Sequence, residues 1–170
     1  MARAKGLTRR EIKYLIVLIL GAFGFFTITG NSRIIDGDTI KIGQERVRLQ
    51  GIDAPETAQT CRCGGQKVFC RKQAAQALKD FVADSEIFCD AKERDAYGRL
   101  LGECFIRRDG RKINLNAWMV ENGHAVAYSH YSKKFVPNEE IAKEKSNGIW
   151  ACKFDMPWDY RKKQRSKKRR

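Results

Sequence analysis

All six cysteines of this 170-residue chain (Cys61, Cys63, Cys70, Cys89, Cys104 and Cys152) follow a segment that is first basic and then apolar. An even cysteine count behind such an opening reads as the disulfide framework of an exported domain. Arg3, Lys5, Arg9, Arg10 and Lys13 precede an uncharged apolar run from Tyr14 to about Phe26, which is the order of an export signal. As one helix, Tyr14–Gly30 would span about 25 Å at about 1.5 Å per residue. A cleaved signal peptide and an uncleaved membrane anchor both remain open, with Ala22-Phe23-Gly24 as a small-x-small cleavage candidate. Leu15–Leu20 has no polar face, which excludes a buried amphipathic helix. Either alternative puts the rest of the chain outside the cytoplasm: secreted, periplasmic, or membrane-anchored and facing outward.

The spacing narrows the cysteine chemistry further. Cys61-x-Cys63 and the six residues before Cys70 do not match the usual spacing of zinc ligands, and His124 and His130 are far away. Nothing marks one cysteine as an activated nucleophile. No free thiol is expected. Cys61 and Cys63 sit about 7 Å apart at Cα on an extended chain and are poor partners for each other. Cys61, Cys63 and Cys70 are expected to pair partly among themselves. Cys89 and Cys104 fall in two candidate strands of the same barrel, and one is expected to reach the other or Cys152.

Charge is concentrated at the ends. The chain holds 34 Lys and Arg against 20 Asp and Glu, a net charge of +14. Residues 161–170 (RKKQRSKKRR) carry eight basic groups and no acid, and residues 1–30 carry five basic groups and one acid. The body, 31–160, is left with 21 basic and 19 acidic residues, a net charge of +2. Three units follow: residues 1–30 as signal or anchor, 31–160 as the domain, and 161–170 as a basic tail. A tail without apolar residues is expected to be disordered and to lend affinity for a polyanion or an anionic membrane surface.

Within the body, Ile34–Ile42 and Arg46–Leu49 read as strands joined around Gly43-Gln44. Lys67–Ala83 has helical periodicity, Ile87–Cys89 is a short strand, and Lys92–Tyr97 is a polar loop. Leu100–Ile106 and Lys112-Ile113 flank a turn at Asp109-Gly110. Leu115–Glu121 is a short helix, Ala125–Tyr128 a strand, and Glu139–Ser146 a last helix opened by Pro137-Asn138. This order predicts a mainly β, α+β fold: a small closed barrel with helices packed outside it.

The signatures of nucleotide-binding loops, zinc proteases and serine hydrolases are absent. What remains is a set of carboxylates and arginines at strand ends: Asp36-Gly37-Asp38-Thr39, Arg48, Ile52-Asp53-Ala54-Pro55-Glu56-Thr57, and Asp95-Ala96-Tyr97-Gly98-Arg99. Alone, each is an ordinary turn or a solvated side chain. Together they are a chemical set. Aspartate oxygens suit a hard divalent cation, guanidinium forks suit a phosphate, and a glutamate beside both can activate water.

These motifs, with IIDGDTIKI, VRLQGIDAPET, DAYGR, INLNAWMVENGHAVAY and KSNGIW in order from about Ile34 to Trp150, resemble the thermonuclease (staphylococcal-nuclease-like) family. The resemblance implies a five-stranded OB-fold barrel with three packed helices and Ca²⁺-dependent hydrolysis of DNA, RNA or both. By position, Asp38 and Asp53 match the metal-binding aspartates. Ala54 stands where a threonine lends its backbone carbonyl to the metal. Glu56 matches the glutamate described as general base, and Arg48 and Arg99 match the two phosphate-holding arginines. Tyr97, with Tyr128 or Tyr131, matches the tyrosines lining the nucleotide site. Residues 58–70 replace the family's polar loop with a cysteine-containing one. The chain is expected to act as a monomer, with a membrane as partner if its first segment is uncleaved. The alternative is an OB-fold module that binds nucleic acid without cutting it. A dead module has no need of all five charged residues, and this chain has all five. A nuclease of this fold acting on another phosphodiester of the cell envelope also stays open.

Overall fold

Short β-type runs with one apolar face cannot be buried singly, and here they close on each other. A computed structural model describes residues 19–20 and 26–169. It begins with β1 (Ile19–Leu20), β2 (Phe26–Thr29), β3 (Ser32–Asp36), β4 (Thr39–Ile42), β5 (Glu45–Leu49) and β6 (Ile52–Asp53). After β7 (Cys61–Cys63) and β8 (Gln66–Val68) come α1 (Cys70–Val82), β9 (Phe88–Arg94), β10 (Leu100–Arg108) and β11 (Arg111–Asn114). The remainder is α2 (Leu115–Glu121), β12 (Val126–Ala127), α3 (Val136–Glu144), β13 (Cys152–Lys153) and α4 (Pro157–Lys168).

The main sheet runs β1-β2-β9-β10-β5-β4-β3, with β11 on β10. Its β10–β5 pair is parallel. Strands β2 and β3 lie on opposite arms of this path, yet only Gly30-Asn31 separates them in the chain. The sheet is therefore closed by the chain passing from β2 into β3. Taken as one bent strand, β2–β3 completes a five-stranded barrel with β4, β5, β9 and β10, the α+β architecture expected from the sequence.

Ile40, Ile42, Val47, Leu49, Leu100 and Ile106 fill the interior, capped by Ala74, Leu78 and Val82 of α1 and by Leu115, Met119 and Val120 of α2. Each large apolar side chain so buried is worth about 1.5–3 kcal/mol. Where the parallel strands diverge, the buried Asn116 supplies the missing partners. Its Oδ1 accepts the Cys104 N–H at 3.0 Å, and its Nδ2 donates to the Gln50 carbonyl at 2.9 Å.

A second, smaller core lies outside the barrel. Antiparallel β13-β7-β8 covers Cys61, Cys70, Val126 and Ile149, with Trp150, Phe154, Met156 and Trp158 packed at its margin. Two disulfides, Cys61–Cys70 and Cys63–Cys152, belong to this unit, and the third, Cys89–Cys104, joins register partners of β9 and β10. Among the described residues no cysteine is free. Three disulfides in a domain of this size are the mark of an oxidising compartment.

The structure differs from the sequence reading in four places. Helix α1 starts at Cys70, because Gln66–Val68 hydrogen-bond to β7. Strand β9 continues through Lys92 to Arg94, since pairing with β10 outweighs the polarity of those residues. The end of the 1–30 segment, Phe26–Thr29, is extended and paired with β9, not helical. A fourth helix, α4, stands where a disordered tail was expected, in addition to the three expected helices. Pro157 at its first turn, Asp159 in that turn and Arg165, Lys167 and Lys168 in the last agree with the helix dipole. The signal or anchor reading of residues 1–30 otherwise lies outside the described residues. Among those that are described, no helix is long and apolar enough to cross a membrane.

Cys63–Cys152 spans 89 residues of sequence. The double substitution Cys63→Ser/Cys152→Ser should lower unfolding free energy by about 2–5 kcal/mol in denaturant titrations. Non-reducing mass mapping of the unaltered chain should find no alkylatable thiol.

Candidate active site

The first turn of the site is made by Asp36-Gly37-Asp38, where the β3–β4 register shifts. A Cβ on Gly37 would lie 2.9 Å from the Cβ atoms of both Ala54 and Ala74, so only glycine lets this turn sit against α1 and the Asp53-Ala54 segment. The Asp38 backbone N–H donates to Asp36 Oδ1 at 3.1 Å, and Asp38 Oδ2 accepts the Ala54 N–H at 3.0 Å. Asp53 ends β6, whose partner β12 places Val126 opposite it. Buried Glu139 of α3 secures β12 by accepting the Ala127 N–H.

Arg48, at the end of β5, joins the two aspartates. Its Nη1 lies 2.6 Å from Asp38 Oδ1 and its Nη2 2.9 Å from Asp53 Oδ1. Burial works against the Arg48 charge, but Asp38 and Asp53 more than offset it, so its pKa is raised. Burial pushes the Asp53 carboxyl up, against the downward pull of Arg161 and Arg48. Burial, and then the charge of Asp38, also raise Asp36. Guanidiniums face both carboxylates: Arg71 on Asp36, and Arg48 and Arg161 on Asp53.

Arg99 reaches the cleft from the β9–β10 turn. Gly98, at φ +77°, lets that turn close, and Asp95 organises it. Asp95 Oδ1 accepts the backbone N–H groups of Tyr97 and Arg99, and Asp95 Oδ2 accepts Arg99 Nε at 2.8 Å. Desolvation opposes the Asp95 charge, but the hydrogen bonds from Arg99 and Tyr97 prevail and hold its carboxyl below the usual range.

All of this opens onto one cleft of about 390 Å³, lined by Asp36, Asp38, Arg48, Ala54, Glu56 and Arg99. Tyr97 stands at its rim, 86% exposed, and Tyr128 forms part of its wall. Tyr131 is not in that wall: it lines a neighbouring hollow, where its hydroxyl donates to Glu93 and accepts from Gln50. Of the two tyrosines left open by the sequence, the cleft contains Tyr128. Among the described residues no three His, Cys, Asp or Glu side chains gather into a metal cage.

Three contributors went unread in the sequence. Arg71 of α1 pairs with Asp36 at 3.4 Å. Arg161 and Arg165 come from α4, and both line the cleft. Arg161 Nη2 is 2.8 Å from Asp53 Oδ2, and its Nη1 is 2.6 Å from Glu56 Oε1. Its pKa is raised, foremost by the hydrogen bonds to Asp53. Nothing in RKKQRSKKRR distinguishes these two arginines from their neighbours; only the helical spacing of four residues between them puts both on one face.

The closed barrel carries clustered arginines and carboxylates at its strand ends, around one cleft. Comparison with known proteins gives the family. Residues 46–152 match the family model described as staphylococcal nuclease homologue. The chain is 40% identical over 126 residues to the succinoglycan biosynthesis protein ExoI of Rhizobium meliloti (strain 1021), covering 72% of this chain and 64% of that protein. It is 32% identical to protein ParB of Escherichia coli, with 94% and 93% of the two chains covered. It is also 32% identical over 168 residues to a micrococcal nuclease of Shigella flexneri, with 90% and 91% covered. The chain belongs to the staphylococcal nuclease family.

Because the folded-state pKa of Asp95 is depressed, its stabilisation is present above the ordinary carboxylate range and is lost as pH falls through the depressed value. Asp95→Asn should cost about 1–3 kcal/mol near neutral pH. In urea titrations from pH 7 to pH 2, the gap from the unaltered protein should close on the acid side.

Proposed function

We propose that this protein is a Ca²⁺-dependent nuclease that hydrolyses phosphodiester bonds of DNA, RNA or both, outside the cytoplasm. The observation that carries this reading is the convergence of Asp38, Arg48, Glu56 and Arg99 on the lining of one cleft, with Asp53 buried behind it and paired to Arg48. The family and its nuclease-named relatives support it. The three disulfides support the location, as a secreted, periplasmic or outward-facing anchored domain.

The donor set fits a hard cation. Two carboxylates already held within one guanidinium's span, with the Ala54 carbonyl and water, are oxygen ligands of the kind Ca²⁺ takes. Bound there, the cation would supply charge neutralisation beside the phosphate. The chain's own residues do the rest. Arg48 and Arg99 hold the phosphate and stabilise the charge that develops on its oxygens in the transition state. Asp95 keeps the Arg99 guanidinium aimed at the cleft. Glu56 takes a proton from an in-line water as its oxygen bonds to phosphorus, while the opposite P–O bond breaks and the ester oxygen leaves with the bonding pair, taking a proton from solvent water. Tyr97 and Tyr128 offer ring faces to the nucleotide flanking that phosphate, as aromatic side chains do for single strands.

The test is cleavage of heat-denatured DNA and of RNA by the full chain, with Ca²⁺ and with chelator. Cleavage is expected only with Ca²⁺. Arg48→Ala, Arg99→Ala and Glu56→Gln should each lower the rate by about 10²–10⁴-fold. Binding without cleavage under any cation would leave the nucleic-acid-binding module as the reading.

A further inference from the structure

Arg161 has no part in that reaction, yet it holds the same carboxylates. Resting on the cation reading, we propose that Arg161 is a third active-site arginine: a positioning residue that serves as the resident counter-charge of Asp53 and Glu56 and leaves Asp53 when a divalent cation binds.

Its contacts select this role. Arg161 makes three hydrogen bonds, two to the separate oxygens of Asp53 and one to Glu56. Asp53 has a side chain only 1% exposed, so its charge needs a partner at all times. Arg48 satisfies one Asp53 oxygen, and the other faces Arg161. A cation using Asp53 meets this guanidinium as a like charge at short range, where repulsion is poorly screened. Cation and guanidinium therefore compete for one carboxylate.

The helix that carries Arg161 is held in place by more than this contact. Cys63–Cys152 ties the segment before α4 to β7. Gln59 accepts the Glu56 N–H with its Oε1 and donates to the Asp155 carbonyl with its Nε2, which links the glutamate loop to the approach to α4. Trp158 packs against Tyr128, with ring centroids 5.7 Å apart. A guanidinium displaced from Asp53 thus stays beside the cleft. There it joins Arg165, which has no carboxylate partner among the described residues, and a phosphate in the cleft offers it a bidentate anion in exchange. Cation and phosphate then assist each other's binding, because each resolves the charge conflict the other creates.

Calorimetric titration of the full chain with Ca²⁺, with and without inorganic phosphate, tests this. Arg161→Ala should bind Ca²⁺ about tenfold more tightly than the unaltered protein in the absence of phosphate, with Arg161→Lys between them. Phosphate should tighten Ca²⁺ binding in the unaltered chain and do so less in Arg161→Ala. Independently of any variant, saturating Ca²⁺ should speed amide hydrogen exchange in residues 157–168. Equal or weaker Ca²⁺ binding by a folded Arg161→Ala, or unchanged exchange in 157–168, would overturn the role of Arg161 while leaving Ca²⁺-dependent cleavage intact. No Ca²⁺ binding by any of the proteins, with no Ca²⁺-dependent cleavage, would overturn the cation reading together with it.

Discussion

A carboxylate with 1% of its side chain exposed cannot remain charged without a cation beside it, and Asp53 is that carboxylate. Much of the surrounding structure answers this need. Arg48 leaves β5 to span Asp38 and Asp53, the Gly37 turn gives Asp38 the room to face them, and α4 delivers Arg161 to the remaining oxygen. Removing either arginine leaves a buried charge partly uncompensated, at a cost set by desolvation and not by the strength of one contact. The same arrangement that stabilises the fold therefore holds the two aspartates close together under one guanidinium.

Rigid parts of the fold supply the precision. Arg48 comes from a strand of the barrel, Asp53 from β6 and its partner β12 beside it, and Arg99 from a turn fixed by Asp95. Asn116 and Glu139 are buried polar residues whose hydrogen bonds close gaps in the strand pairing behind the site. Neither touches the cleft. Their satisfied geometry holds β10 and β12 where the site needs them, so disturbance there would reach the chemistry through backbone displacement.

The barrel was legible because its strands alternate and its turns carry glycine where φ is positive, and these are local properties of the chain. Asp38, Arg48, Asp53, Glu56 and Arg99 were legible because each sits in a short motif whose neighbours repeat a known pattern. Arg161 was not. Its role depends on Cys63–Cys152 and on Gln59 bridging to Asp155, contacts across 89 and 96 residues of sequence that no local signal announces. The disordered-tail reading failed for a related reason. Residues 161–170 alone carry no apolar side chain, whereas α4 begins at Pro157 and takes its packing from Trp158, which precedes them.

Charge bookkeeping by segment likewise hides what matters at the cleft. The body is almost neutral in sum, yet Arg48, Arg71, Arg99, Arg161 and Arg165 all line one cavity with Asp36, Asp38 and Glu56. Four of those five guanidiniums are engaged by carboxylates, on Asp38 and Asp53, Asp36, Asp95, and Asp53 and Glu56 respectively. Paired in this way they project little field into solvent, so the site is not a standing polyanion trap. On the reading proposed above, a divalent cation would change the balance, because each carboxylate it takes weakens that carboxylate's hold on a guanidinium. On the cation reading proposed above, the cleft would gain affinity for phosphate as it gains the cation, since both ligands act on the same set of paired charges.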